Sequence, residues 1–143
     1  FFLMIRLPPR STLFPYTTRF RSGFKPINDR YGHAMGDQIL VKLADKLAAT
    51  ARATDVVARL GGDEFAILCP KLQGEGDLEQ FCNRLLGAVA SVPSDDIPGC
   101  RLGGSIGIAC YPQDGYALDH LLALADRAMY AAKNAGGHRW QVA

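Results

Sequence analysis

The residues best suited to chemistry sit in one short run, Gly61-Gly62-Asp63-Glu64-Phe65. Two glycines let a ligand approach the backbone closely, because neither carries a Cβ. Two carboxylates follow at once. Carboxylate oxygens suit a hard cation, and Mg²⁺ typically sits between one or two carboxylates and the phosphates of a substrate. Neighbouring side chains of a strand point to opposite faces. Asp63 and Glu64 therefore share a pocket only if a turn bends the chain between them. An acidic pair at a turn is also a common solvated surface feature, and residue types alone leave both readings open. Shortly upstream stand Arg52 and Asp55, which by type are a surface ion pair of little energetic weight.

Recognisable elements surround these residues. Residues 34–51 carry Ile39, Leu40, Leu43, Leu47 and Ala48 at helical spacing, which predicts an amphipathic helix. Asp55–Leu60 and Glu64–Cys69 read as strands, and the short Gly-containing link between them predicts a hairpin. Residues 77–91 predict a second helix, with Leu78, Phe81, Cys82, Leu85, Leu86 and Val89 on one face. Arg101–Tyr111 predicts a central strand whose glycines admit a close neighbour. Residues 118–134 predict a third helix stopped by Gly136-Gly137, and His138–Val142 a last edge strand. Phe24–Tyr31 reads only as a short polar and apolar stretch closed by Gly32. Together these predict an α/β (α+β) sandwich: helices flanking a central, mainly antiparallel sheet.

Composition narrows the function classes. The chain has 143 residues, one domain's worth, with 48% hydrophobic and 21% charged residues. No apolar run approaches the ~18 residues of a membrane span. The four cysteines form no C-x-x-C pair, and they read as reduced thiols of a cytoplasmic protein. The formal charge of +2 is unevenly spread. Residues 1–22 hold Arg6, Arg10, Arg19 and Arg21 and no acid, so the remaining body is slightly acidic. Nucleic-acid binding by bulk charge is thereby disfavoured. Residues 1–22 also carry Pro8, Pro9 and Pro15 and follow neither a strand nor a helix period. Their string closely resembles the conceptual translation of a sequencing adapter. They are expected to be non-native and disordered, with the genuine domain running from 23 to 143 and lacking its first strand.

Arg59-Leu60-Gly61-Gly62-Asp63-Glu64-Phe65 resembles the signature of the GGDEF family, the diguanylate cyclases. The likeness extends over the body. Phe24-Lys25-Pro26-Ile27-Asn28-Asp29, Gly32-His33 and Gly36-Asp37 are similar to the stretch the family carries upstream. Ser105-Ile106-Gly107-Ile108-Ala109 and the run from Ala125 to Lys133 are similar to its downstream strand and helix. The resemblance implies a nucleotidyl-cyclase or palm-like fold and the condensation of two GTP into cyclic di-GMP, with release of pyrophosphate. It implies Mg²⁺ (or Mn²⁺) as cofactor, a homodimer that brings two GTP molecules together, and cyclic di-GMP as both product and inhibitor.

Residue by residue, the resemblance makes Asp63 and Glu64 metal ligands and, with Lys133, catalytic. Phe24, Lys25, Asn28, His33, Asp37, Gly61 and Gly62 become substrate contacts, with Asn28 and Asp37 reading guanine and Lys25 and Lys133 touching phosphates. By type alone, Asn28 and Asp37 are also ordinary capping and turn residues, and the lysines ordinary surface ones. Arg52 and Asp55 match an inhibitory product site, to which Arg84 adds a secondary contact.

Two departures bear on activity. A metal-binding Asp of the family's leading strand falls here on Phe20, with Ser22 at a second Asp, and an Arg that follows Lys133 in the family falls on Gly137. The expected function is thus a cyclase domain with weak or no activity in this chain. The alternative is a degenerate module that binds GTP or cyclic di-GMP and regulates a partner phosphodiesterase domain.

Overall fold

A computed structural model describes residues 2–6, 24–70, 72, 74–92, 97 and 102–143. In chain order these form β1 (Phe2–Arg6), α1 (Phe24–Tyr31), α2 (His33–Thr50), β2 (Val56–Gly61), β3 (Glu64–Cys69), α3 (Gly74–Ser91), β4 (Ser105–Ile108), α4 (Leu118–Asn134) and β5 (Arg139–Val142). The strands make one sheet in the order β2-β3-β1-β4-β5. The α/β architecture agrees with the sequence-based expectation.

The strand directions differ from that expectation. Only β2 and β3 pair antiparallel, while β1–β3, β1–β4 and β4–β5 are parallel. The cause lies in the connections. A two-residue turn reverses the chain between β2 and β3, whereas α3 separates β3 from β4 and α4 separates β4 from β5, as parallel crossovers require.

Phe2–Arg6 lies in the central slot between β3 and β4. Its sequence FLMIR is apolar enough for a position flanked by strands on both sides, and hydrogen bonding to both neighbours completes ladders that would otherwise end at open edges. The rest of the 1–22 expectation, including the positions of Phe20 and Ser22, lies outside the described residues.

The stretch Phe24–Tyr31 is a helix, which the periodicity did not reveal. Pro26 is accommodated in the first turn, where no intrahelical N–H bond is due. Gly32, at φ 81, breaks α1 from α2, and its N–H still closes on Asn28 O at 2.9 Å.

The core sits mainly on one face of the sheet. Phe65, Ile67 and Cys69 of β3 and Ile106 and Ile108 of β4 pack with Ile39, Leu43 and Leu47 of α2 and Phe81, Leu85 and Val89 of α3. On the alternate residues Leu68 and Ala109 join Leu121 and Ala125 of α4. Gly107 explains how α4 lies so close: a Cβ there would stand 1.9 Å from Ala125 O. The close neighbour expected at this strand is the helix backbone.

Candidate functional site

The β2–β3 hairpin positions the acidic pair. Gly61 pairs with Glu64, leaving Gly62 and Asp63 as the turn. Gly62 holds φ 53, a left-handed conformation natural to glycine. The register shifts between Arg59 and Gly61, a bulge of the kind that re-aims side chains. Arg59 Nε donates to Gly62 O at 3.0 Å and ties the turn back to its strand. Turn and bulge bend the backbone where the two adjacent carboxylates stand. Asp63 and Glu64 are half-buried, and the next residue, Phe65, is only 1% exposed and anchors the turn to the core.

The same end of the sheet gathers further candidates. Ile67 and Ile108 both align with Met4, and Ser105 aligns with Arg139, so Glu64, Ser105 and Arg139 lie in one row. Lys133, half-buried, is in the last turn of α4, just before that row. Gly136-Gly137 ends the helix, with Gly137 N–H bonded to Ala132 O at 3.1 Å. Gly137 sits at φ 69, a conformation that disfavours an arginine at this position. A Cβ on Gly136 would lie 3.9 Å from Arg139 Nη2, so the Arg139 side chain folds back over the helix end.

Phe24 and Lys25 open α1, and Asn28 follows one turn later. The Asn28 Oδ1 is buried and has no hydrogen-bond partner among the described residues. Such an acceptor is expensive unless something donates to it. His33 and Asp37 are exposed in the first turns of α2.

The opposite end of the hairpin is built from Arg52, Asp55 and Arg84. Arg52 N–H donates to Asp55 Oδ2 at 2.8 Å, and Arg84 Nη2 donates to Thr50 O at 2.9 Å. Sequence inspection missed the fourth member. Asp77, in the first turn of α3, accepts a hydrogen bond from Arg52 Nη2 and forms an ion pair with it. Its sequence signal was only an acid near a helix start, with its partner 25 residues away. The hydrogen bond to Asp77 raises the Arg52 pKa further. Burial pushes the Asp55 carboxyl above its ordinary value, against the opposing effect of the Arg52 N–H. A groove of about 630 Å³ runs beside Arg84, bordered by Lys46, Thr50, Gly87 and Ser91.

As a metal site, the hairpin tip has a defined capacity. Among the described residues, no group of three or more His, Cys, Asp or Glu side chains could hold an ion. Two hard carboxylates in an open turn nonetheless fit a divalent ion that arrives with phosphate oxygens and water as its other ligands.

Residues 21–139 match the family model described as "Diguanylate cyclase, GGDEF domain". The chain belongs to the GGDEF family. The bifunctional diguanylate cyclase/cyclic di-GMP phosphodiesterase MucR of Pseudomonas aeruginosa is 40% identical over 114 residues, covering 80% of this chain and 16% of MucR. The diguanylate cyclase TpbB of the same species is 41% identical over 111 residues, covering 77% of this chain and 26% of TpbB. The GGDEF domain thus spans a minor part of these relatives' length. The crystal structure of the TpbB GGDEF domain superposes with a TM-score of 0.80 at 36% identity, covering 89% of this chain and 80% of that one. The coiled-coil and GGDEF domain of DgcB from Caulobacter crescentus, in complex with c-di-GMP, gives 0.73 at 26% identity, covering 89% and 70%. No helix among the described residues is long and apolar enough to cross a membrane.

Proposed function

We propose that this GGDEF domain is the catalytic domain of a diguanylate cyclase, joining two GTP molecules into cyclic di-GMP, with weak turnover in this chain. The observation that carries the reading is the bulged turn, with Gly62 left-handed, in which Asp63 and Glu64 follow the two glycines at the head of β3. In the reaction, a 3′-hydroxyl oxygen bonds to the α-phosphorus of the other GTP. The bond from that phosphorus to the β-phosphate oxygen breaks, and pyrophosphate leaves. Two such transfers close the ring.

Each residue has a task in that scheme. Glu64 accepts the hydroxyl proton. Mg²⁺ or Mn²⁺, held by Asp63 and Glu64 together with the triphosphate, would neutralise charge on the transferring phosphoryl group. Gly61 and Gly62 give the nucleotide access to backbone. Lys25 and Lys133 meet phosphate oxygens, Phe24 lies at the same helix start, and His33 stands at the head of α2. Asn28 and Asp37 read the base: guanine N–H groups are donors suited to the Asn28 Oδ1, which has no partner among the described residues. Two copies face each other as a homodimer. The Arg52–Asp55 end binds the product, in keeping with the c-di-GMP complex of DgcB.

A second reading, a nucleotide-binding module that regulates a phosphodiesterase domain, is favoured by β1. Its sequence FLMIR brings no acid to the central slot. Incubation with GTP and Mg²⁺ separates the two. The cyclase releases one pyrophosphate per GTP without any template, and Asp63→Ala stops it. Nucleotide binding without turnover selects the module.

A further inference from the structure

Arg52 is already occupied by an anion of this chain's own making. Its backbone N–H is bound by Asp55 at 2.8 Å, and its guanidinium by Asp77. The ion pair is partly open to solvent, with side-chain exposures of 34% and 23%. Seven residues on, Arg84 lies on the same face of α3, two helical turns away. Its guanidinium carbon stands 5.3 Å from the Phe81 ring centroid, and one of its nitrogens holds Thr50 O. Asp77 and Arg84 therefore flank the loop that carries Arg52 and Asp55. A guanidinium offers five N–H donors in a fixed fork, and a phosphate or guanine edge takes them best in parallel pairs. A ligand that approaches Arg52 has to share or displace the Asp77 carboxylate, which carries the same charge as a phosphate.

We propose that Asp77 is an internal competitor for Arg52 that sets how tightly this domain binds a guanine cyclic dinucleotide at its Arg52–Asp55 end. The proposal rests on the reading of that end as a product site. Asp77 is a tuning residue, whose negative charge weakens the site it adjoins. The opposite role, a carboxylate that pre-positions Arg52 for the ligand, would make its removal harmful.

The test is calorimetric titration of cyclic di-GMP into the chain and its variants at low salt. Asp77→Asn keeps the shape and removes the charge, and it is expected to bind about three- to fivefold more tightly than the native chain. Asp77→Ser, which suits a helix start, gives the same gain should the Asn variant be poorly folded. Asp77→Glu retains native affinity. The gain shrinks as salt is added, because screening weakens the competing charge. Equal or weaker binding by both uncharged variants overturns the proposal and leaves the product site standing. Failure of the native chain and all variants to bind cyclic di-GMP overturns the product site, and the proposal with it.

Discussion

At one end of the β2–β3 hairpin, Gly62, Asp63 and Glu64 form a half-exposed turn to which Arg59 Nε donates at Gly62 O. At the other end, roughly 17 Å along the strands, Arg52, Asp55, Asp77 and Arg84 are engaged by groups of the chain itself. In the proposed function the first end receives phosphates and an ion. The second is nearly satisfied without a ligand, so whatever binds there must compete. One hairpin thus carries an end whose chemistry depends on what arrives and an end whose affinity depends on what must be moved aside.

Breaking the support of the first end has the largest effect on stability. Phe65→Ala empties a fully buried site and is expected to lower stability by about 3–5 kcal/mol, read from denaturant unfolding. Next to it, Asp63→Ala and Glu64→Ala leave the unfolding midpoint nearly unchanged but lower pyrophosphate release from GTP by about 10²-fold or more. If these variants lose stability instead, the carboxylates belong to the fold and not to the chemistry. At the second end, Arg52→Ala is expected to raise the inhibition constant for cyclic di-GMP by about tenfold, the loss of one charged hydrogen-bonding group. An unchanged inhibition curve returns Arg52 and Asp55 to the status of a surface pair.

The smallest effect concerns the thiols behind the second end. Burial pushes Cys82 up to about 12, and burial with the nearby Asp55 charge pushes Cys69 up as well. Both are expected to resist iodoacetamide at pH 8 in the folded chain, with Cys110, only half-buried, reacting before them, as mass mapping would reveal. The sign of the linkage follows. A folded value above the unfolded one near 9.0 gives stability that is present below pH 9.0 and lost as pH rises towards about 12. Cys82→Val removes its share of that alkaline decline.

What the sequence made legible were features written locally. The hairpin limits followed from Gly61-Gly62 between two apolar runs, and α4 ran from 118 to 134 as its stripe predicted. Long-range facts were not legible. Nothing in FLMIR says that it would seat between β3 and β4, because that depends on edges made by residues far along the chain. Strand direction was misjudged because one hairpin was visible and the crossovers were not. Helix α1 was hidden by its length of eight residues and by Pro26. In the site, the acids and glycines were readable from type and spacing, whereas Asp77 became visible only when α3 was brought against the Arg52 loop.

The most direct measurement follows pyrophosphate and cyclic di-GMP from GTP and Mg²⁺, with the native chain beside Asp63→Ala. Slow, metal-dependent formation of both products that disappears with Asp63 is the predicted result. Absence of product from the native chain, or product that survives Asp63→Ala, would contradict the assignment of chemistry to the hairpin turn.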